Sequence, residues 1–512
     1  MALTKARNIM IEGAPVNVKD YGVVGDGVTD DTAAFNAFYT AGGRYINNGT
    51  YLIDSFETSS SNITLVGEST EGVIIKARGS VSGALDFLKF TGSNVTIRNI
   101  TVDLNNTTDT FAGGFIAGRN GIVFLGLVGA FITNITLDNV SVINCGEAGI
   151  KPQYVNGLKI INTYIERCGQ YGIYGLSVID AQIEKPKIKN IFPGNGGTTP
   201  YLNAYGLTAS SEGTDPVSTD WAVYDGNVED VTSWEAYDTH KGKRIRFYNC
   251  SSKNCSQGVA IESTSAGYES EDIIVSGGSH TSFGQAFVRD GQTYEPEPAV
   301  VANMGSTTTN GKGLSITGVT SRGHGSGRNS SGGAIKIQDA DGVIITGNVL
   351  IDSLKRGISI VNEGKNLLLD DNLISGVTSV GSVGRGIEFT PTLISGRIGN
   401  RNVIVVTPNQ TSYNDEVTIA AGVLTVFMDQ HHIDTEADAA TDDLNTITAG
   451  WNGQTVKLTT FDSARTVVLK DGIGNLRLAG DFSLTHSYDK ITLSYDERYA
   501  VWSEDSRSNN EI

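Results

Sequence analysis

The fold is decided by the stretch NCGEAGI at residues 144–150, which returns one unit later as RCGQYGI at 167–173. A third copy, NCSQGVA, stands at 254–260. The glycine and the branched residue that follows it recur, at intervals of similar length, as Gly333-Ala334-Ile335, Gly357-Ile358 and Gly386-Ile387. Similar residues at the same place in units of roughly 20–30 residues predict a repeat architecture in which each unit stacks on the next.

A second element recurs within the same units, as NVTI at 94–97, NITL at 134–137, GLKI at 157–160, GVII at 342–345 and NLLL at 366–369. Each unit therefore contains two or three strands of period two, closed by Gly, Asn or Cys turns. This predicts an all-β chain folded as a right-handed parallel β-helix, or solenoid. A β-sandwich would share the alternation but not the fixed unit length, and a doubly wound α/β fold needs helical segments that the units lack.

The composition agrees with many short strands and restricts the partners. Glycine is abundant, with 62 residues, whereas proline is sparse, with 10. The net charge is −18, and an acidic surface repels phosphate backbones and anionic lipids. No apolar run approaches the twenty residues that a membrane-spanning helix needs. We therefore expect neither nucleic acid binding nor membrane insertion.

The four cysteines are interpreted as small buried side chains that stack from one unit to the next. They are Cys145, Cys168, Cys250 and Cys255, and three of them precede a glycine pair of the repeat. No Cys-x-x-Cys pair occurs, so we predict no metal site and no cofactor. Disulfides are the alternative, and nothing in the pattern requires an oxidising compartment.

The two ends of the chain differ from its middle. Residues 33–39 read as a short helix that covers the first coil, with Asp30, Asp31 or Thr32 accepting its free N–H groups. Beyond residue 400 the glycine pairs stop and strand-like stretches follow. We therefore predict an N-terminal junction and capping segment (1–45), a β-helix that carries the glycan site (46–400) and a small C-terminal β-domain (401–512).

The N-terminal segment LTK…GAPVNV, from Leu3 to Val18, resembles the opening of the pectate-lyase-like β-helix proteins, particularly phage tailspikes. The C-terminal module is similar to the small β-domain of many tailspikes. The resemblance implies a homotrimer on a virion tail, where the C-terminal domain caps the helix and helps three chains associate. It implies a bacterial surface polysaccharide, capsule or O-antigen, as the partner outside the host cell. We expect either a trimmed chain or a spike that docks through an adaptor protein.

The stretch TSWEAYDTHKGKR at 232–244 concentrates acidic, aromatic, imidazole and basic groups in an otherwise apolar and small repeat. Carboxylates can exchange protons with a glycosidic bond. A Trp…Asp-Thr-His run of this kind resembles one found in the central coils of some phage depolymerases. Asp238 and Glu262 are separated in sequence by one coil length, so we expect them to stack. Glu235 competes with Glu262 as the acid, and the more desolvated of the two would keep its proton.

His240 would orient a carboxylate or act as the base of a lyase. Aromatic side chains can stack on sugar rings and basic ones can hold anionic substituents, so we predict substrate contacts at Trp234, Tyr237, Lys241, Arg244, Trp221 and Tyr224. The alternative reading is a turn in which Asp238 and His240 only satisfy the backbone, with the aromatic residues packing a loop onto the helix.

Three functions remain open at this point. The first is an endo-acting glycoside hydrolase that depolymerises the host glycan. The second is a polysaccharide lyase that removes a proton beside a uronate. The third is a spike that binds its receptor without cutting it.

Overall fold

The computed structural model describes residues 16–79, 85–106, 118–192, 203–231, 233–263, 267–284, 286–289, 292–306, 309–325, 332–377, 385–399, 401–406, 411–413, 416–426, 429–448, 450 and 452–510. Three parallel sheets run along one axis and are joined into a single 33-stranded ladder. The chain visits the three sheets in turn, so each strand pairs with the equivalent strand of the next coil. This is a parallel β-helix, as the repeat predicts. The right hand of the coil stays a prediction.

The first sheet contains Phe56–Thr58, Leu85–Phe90, Arg119–Leu125, Ala148–Ile161, Tyr171–Glu184, Tyr205–Ser210, Glu235–His240, Gln257–Glu262, Val300–Asn303, Ile335–Thr346, Arg356–Asp370, Arg385–Ile398 and Thr411–Tyr413. Its longest strands continue into the second sheet, which also contains Tyr45–Ile46, Ile63–Gly67, Val95–Asp103, Ile132–Ile143, Thr219–Tyr224, Lys243–Tyr248, Glu271–Ser276 and Gly311–Thr317.

The third sheet contains Asp26–Asp30, Gly49–Ile53, Val73–Ala77, Tyr164–Gly169, Lys187–Phe192, Asn227–Glu229, Ser251–Lys253, Ser279–Thr281, Thr320–Arg322, Val349–Ile351, Leu373–Val377 and Val403–Val406, with the ends of Val95–Asp103 and Ile132–Ile143. A separate hairpin pairs Phe287–Arg289 with Gln292–Tyr294.

The recurring glycine stands at a corner that has no room for a side chain. A Cβ added to Gly172 would lie 2.4 Å from the carbonyl oxygen of Gly206, and one added to Gly206 would lie 2.4 Å from that of Ala236. The branched residue after each glycine points into the core, where Ile173, Leu207 and their successors are fully buried. The Gly-Ile pair therefore fixes where each coil bends and which residues face inward.

The recurring asparagines form a second row at the turns. The amide of Asn94 donates to the side-chain oxygen of Asn62 at 3.0 Å, and that of Asn134 donates to Asn94 at 2.8 Å. All three have a left-handed backbone, with φ between 58° and 64°. Asparagine tolerates this conformation, and here it also links neighbouring coils. All four cysteines are free and buried, as the repeat predicts.

A helix at Thr32–Thr40 follows a 3₁₀ turn at Val18–Tyr21, and it buries Phe35 and Phe38 in the core of the β-helix. The Asp30 carboxylate accepts the first helical N–H, that of Thr32, at 3.0 Å. The carboxylate of Asp31 instead accepts the N–H groups of residues 24 and 25. The helix lies within the predicted N-terminal segment, and its role as a cap stays a prediction.

Residues 416–508 form smaller sheets around a core of their own. One sheet has the order Glu416–Thr418, Gln430–Asp434, Thr455–Thr460, Lys490–Asp496, Val501–Ser508, Leu476–Arg477; another joins Thr441–Leu444, Thr466–Leu469 and Phe482–Leu484; a third joins Val423–Leu424 and Thr446–Ile447. A 3₁₀ turn spans Glu436–Asp438. The domain boundaries at 45 and 400 stay predictions. Within the described residues, no helix has the length and apolarity to cross a membrane.

Candidate functional site

Acidic residues meet on the outward face of the first sheet, on the last two of three consecutive strands, Tyr205–Ser210, Glu235–His240 and Gln257–Glu262. In the middle strand, Glu235–His240, the side chain of Tyr237 points into the core, so that of Asp238 points outward. Asp238 pairs with Thr208 on one side and with Ala260 on the other. Asp238 is only 1% exposed, and Ala260 beside it is fully buried.

The corner of the coil brings Glu235 and Asp238 together. Two coils earlier, Tyr171 and Tyr174 flank the same corner, and their rings stack with centroids 3.8 Å apart. The ladder register carries these two positions through the next coil to Glu235 and Asp238. Residues three apart on a straight strand would face opposite sides, but the bend turns both toward the same surface. Glu235 and Asp238 are therefore neighbours.

Glu235 is as enclosed as Asp238. Its side chain is only 1% exposed, and among the described residues none donates a hydrogen bond to its Oε2. Burial raises the pKa of Glu235 well above its usual range, and the negative charges of Asp238 and Glu262 raise it further. The protonated form of Glu235 is therefore favoured over the carboxylate.

Asp238 is held between a hydroxyl and an imidazole. The hydroxyl of Thr208 donates to its Oδ2, and Nε2 of His240 lies 3.2 Å from its Oδ1. Burial alone would lower the pKa of His240, but the charge of Asp238 and the hydrogen bond to it raise that pKa to about 9. His240 is therefore a cation at neutral pH, and it compensates the charge of Asp238.

Glu262 lies beside His240 rather than directly beside Asp238. The sequence spacing suggested a direct stack, but the register pairs His240 with Glu262 and Asp238 with Ala260. The partner expected for Asp238 was two residues too far along the chain. Tyr237 pairs with Val259, so this coil is two residues shorter than the sequence separation of Asp238 and Glu262. Glu262 and Asp238 are thus diagonal neighbours on the same face.

The environment of Glu262 sets its proton affinity in the neutral range. Burial raises the pKa of this carboxyl to about 7, against a hydrogen bond from Asn303 that lowers it. The amide nitrogen of Asn303 lies 2.8 Å from each of its two oxygens. Glu262 is only partly buried, so a ligand can reach it.

Of the predicted substrate contacts, two lie near these acids. The ring of Trp234 is 6.1 Å from that of Tyr205, which in turn is 6.4 Å from the His240 ring. The ammonium of Lys241 donates to the Gly213 carbonyl at 3.0 Å and lies over the ring of Tyr268. Lys241 is thus engaged within the chain.

The other four lie elsewhere. Tyr237 is fully buried and donates its hydroxyl to the carbonyl of Ser251, and Trp221 is 1% exposed with its indole N–H on the carbonyl of Val178. Both point inward because they stand at core positions of their strands. Arg244 and Tyr224 lie on the second sheet, where Arg244 pairs with Asp220 and Tyr224 stacks on Tyr248. These four predictions are corrected: their side chains do not face the acidic group.

A family model described as rhamnogalacturonase A/epimerase, pectate lyase-like, matches residues 15–182. The pre-neck appendage protein of Bacillus phage B103 is 24% identical over 265 residues, which cover 48% of this chain and 27% of that protein. The mannuronan C5-epimerase AlgE5 of Azotobacter vinelandii is 32% identical over 128 residues, 20% of this chain and 13% of that enzyme. The resemblance to pectate-lyase-like phage tailspikes is confirmed.

Tailspike protein 3 of bacteriophage CBA120 is a structural relative, with a TM-score of 0.41 and 11% identity, covering 97% of this chain and 69% of that one. This likeness concerns the fold alone. The chain spans about a quarter or less of the length of the two sequence relatives named above.

The sequence analysis missed several residues of this face, namely Tyr171, Tyr174, Thr208, Asn303 and Lys336. Tyr171, Tyr174 and Tyr205 form a stacked group, with 5.2 Å between the ring centroids of Tyr171 and Tyr205. A signal was present, since Tyr171 directly precedes a corner glycine and Tyr174 follows it by two positions. Counting outward positions from each corner glycine would have found both.

Proposed function

We propose that this protein is a phage tailspike that depolymerises a bacterial surface polysaccharide, capsule or O-antigen, by endo-glycosidic hydrolysis. The observation that carries the proposal is the group of Glu235, Asp238 and Glu262 on one face, where burial raises the pKa of Glu235 and of Glu262. Glycoside hydrolysis needs one carboxyl group that holds its proton and one that has lost it. Relatives named as phage appendage and polysaccharide-modifying proteins support the substrate class.

Glu262 is the general acid of this proposal and Asp238 the general base. Desolvation alone would select Glu235 as the acid; we assign Glu262 instead because it is partly exposed and its pKa of about 7 suits proton transfer at neutral pH. Asp238 is as enclosed as Glu235, so it acts as the base only once substrate binding admits a water to it. Glu262 protonates the glycosidic oxygen, while Asp238 takes a proton from the attacking water. Glu235 stays neutral and adds no second negative charge beside Asp238.

The diagonal placement of Asp238 and Glu262 favours an inverting reaction. Diagonal neighbours in a sheet have Cα atoms about 7–8 Å apart. Carboxyl groups separated by about 6.5–9.5 Å leave room for a water between them, as inversion requires.

A lyase reaction has less support. Its base would be His240 or a tyrosine, but His240 is already protonated at neutral pH. Burial raises the pKa of Tyr205, Tyr171 and Tyr174, so none of them is ready to accept a proton.

The experiment incubates the protein with capsule and O-antigen from candidate hosts and follows new reducing ends, chain length and ultraviolet absorbance. Hydrolysis gives reducing ends without absorbance, and NMR of the first product reports the anomeric configuration. An absorbance rise from an unsaturated uronate would replace hydrolysis by the lyase reading. Binding without any cleavage would leave a receptor-binding spike.

The assembly is part of the same proposal. We expect a homotrimer on the virion tail, attached directly or through an adaptor, with the C-terminal β-domain helping the chains to associate outside the host cell. Sedimentation equilibrium checks this by mass, because a trimer has three times the chain mass of 54.3 kDa. A monomer at micromolar concentration would contradict it.

A further inference from the structure

The carboxyl group of Glu262 lies between an imidazole and a side-chain amide on neighbouring coils. His240 pairs with Glu262 on one side, and Asn303 pairs with it on the other. Val300 and Ala302, on the same strand as Asn303, are fully buried, so the side chain of Asn303 points outward. Asn303 is therefore the residue that the next coil presents to this acid.

The contact is complementary to the ionised form of Glu262. Nδ2 of Asn303 lies 2.8 Å from each of the two carboxyl oxygens. An amide nitrogen can only donate, so it favours two acceptor oxygens, and a proton on either oxygen would have to point away from it. Hydrogen bonds to a charged acceptor are also stronger than those to a neutral one. The amide therefore stabilises the carboxylate that Glu262 becomes when it has given its proton away.

The direction of the amide is set by this contact. Oδ1 of Asn303 is buried and has no hydrogen-bond partner among the residues that the structure describes. Gln338, the next residue along the row, donates its own amide to the carboxylate of Asp339 at 3.2 Å. A buried acceptor without a partner costs free energy, and the bond from Nδ2 to Glu262 offsets that cost.

The backbone around Asn303 is held by the neighbouring coils. The N–H of Ser263 donates to the carbonyl of Asn303 at 2.7 Å, and the N–H of Met304 donates to the carbonyl of Gln338 at 3.1 Å. A side chain on a rigid strand can hold a reacting group in one place. The strand thus fixes the amide, and the amide fixes the carboxyl group of Glu262.

The groups around Glu262 act on its pKa in both directions. Burial raises the pKa, and the hydrogen bond from Asn303 is the largest influence that lowers it. The charged groups that also face Glu262 are His240 and Lys336, which lower its pKa, Asp238, which raises it, and Glu235. A substitution of Asn303 leaves these charged groups in place, so the contribution of the amide can be isolated.

We propose that Asn303 is a positioning residue for hydrolysis: its amide holds Glu262 and stabilises the carboxylate that forms as the proton passes to the glycosidic oxygen. The bond between the proton and Glu262 breaks as the bond to the leaving oxygen forms, and the negative charge left behind lies on the two oxygens that Nδ2 contacts. The attacking water supplies the hydroxyl of the new reducing end and gives its proton to Asp238, so no further reactant is needed. The role in proton transfer rests on the proposed function, whereas the effect of Asn303 on the ionisation of Glu262 does not.

The first test measures that ionisation without substrate. Asn303→Leu removes the hydrogen bond at similar size, and Asn303→Asp faces Glu262 with another carboxyl group. We expect the pKa of Glu262 to rise by about one to two pH units in Asn303→Leu and further in Asn303→Asp. NMR titration of protein labelled at the glutamate carboxyl carbon measures this pKa, and the signal of Glu262 is identified by its loss in Glu262→Gln.

The second test separates positioning from folding by kinetics. One pH unit or more below the pKa of Glu262, the acid is protonated in every variant. There Asn303→Leu should lower kcat about tenfold, because the carboxylate that forms in the transition state is less stable, and should change KM by less than about twofold. The limb of kcat/KM that falls with rising pH should move to higher pH together with the pKa of Glu262.

The matched control is Gln338→Leu, which removes the neighbouring amide of the same row, whose nitrogen contacts Asp339 instead. It should leave the pKa of Glu262 and kcat unchanged. The inference is overturned if the pKa of Glu262 stays constant in Asn303→Leu, if Gln338→Leu raises it equally, or if Asn303→Leu changes KM and not kcat. Thermal unfolding of each variant checks that it is folded.

Failure of hydrolysis gives a different result. If the unmodified protein cleaves no host glycan but the pKa of Glu262 rises from the unmodified protein to Asn303→Leu to Asn303→Asp, the proposed function fails and the hold of Asn303 on Glu262 stands.

Discussion

The same coils carry carboxyl groups on two surfaces. On one surface the pKa of the acid is lowered, and on the other the pKa values are raised. On the second sheet, Asp220 is exposed and pairs with Arg244 at 2.6 Å, and that hydrogen bond lowers its pKa. On the first sheet, Glu235 and Glu262 are enclosed, and burial raises their pKa values. An exposed acid that pairs with a cation has a lowered pKa, whereas burial raises the pKa of an acid and leaves it able to exchange protons nearer neutral pH.

The largest expected effect separates the two surfaces by activity. Asp238→Asn should lower kcat for glycan cleavage by about 10²–10⁴-fold, because it removes the base. The matched change on the second sheet, Asp220→Asn, should leave kcat within about twofold, since an exposed pair contributes little. Initial rates of reducing-end release measure both. Equal losses in the two variants would contradict the distinction.

The second prediction concerns the pH profile. If Glu262 is the acid, it must be protonated, so kcat/KM should fall as pH rises through about 7. Glu262→Gln should lower kcat by about 10²-fold and remove that limb of the profile. A limb that persists in Glu262→Gln would assign it to another group, with Glu235 the first candidate.

The third prediction concerns stability. The folded-state pKa of Glu235 lies above its unfolded value of about 4.3, so its contribution is fully present below that pH and is lost as pH rises. Glu235→Gln should therefore be more stable than the unmodified protein by about 1–3 kcal/mol at pH 8, with the difference vanishing near pH 4. Denaturant unfolding across this range measures it. A difference in the free energy of unfolding that does not change with pH would contradict the raised pKa of Glu235.

The smallest expected effect compares two tyrosine stacks. Tyr174→Leu should raise KM by about three- to tenfold, because a stacking surface for sugar is lost two coils from Asp238. Tyr248→Leu, in the stack with Tyr224 on the second sheet, should leave KM unchanged. Steady-state kinetics on one defined glycan measure KM for both variants. Similar changes of KM in the two variants would show that the ring of Tyr174 does not contact the substrate.

The sequence predicted the coil better than the site, for a physical reason. Corner glycines and alternating strands report a local backbone requirement that recurs in every unit, so Gly172 and Gly258 reveal the fold directly. The neighbourhood of Glu235 and Asp238 depends on a bend between them, which strand alternation does not express. The place of Glu262 depends on the length of one coil, and a small error in that length moved it from Asp238 to His240.

The buried aromatic residues were mispredicted because composition does not distinguish the two faces of a strand. Trp221 and Tyr237 belong to alternating strands, and their inward phase could be read from Val223 and Val259, with which they share core positions. Asn303 gave no local signal at all. Its contact with Glu262 comes from the pairing of coils that lie far apart in sequence.

The regular stacking of the corner glycines has a consequence for how such a protein can diversify. The number of residues between successive corners varies almost twofold. Tyr237 pairs with Val259, whereas Val259 pairs with the much more distant Val300. The strands of the first sheet nevertheless keep their register. Loop length is thus uncoupled from the alignment of the outward side chains. Segments between corners can therefore be exchanged or lengthened while the outward side chains keep their mutual geometry, so under the proposed function specificity and chemistry can evolve at separate rates.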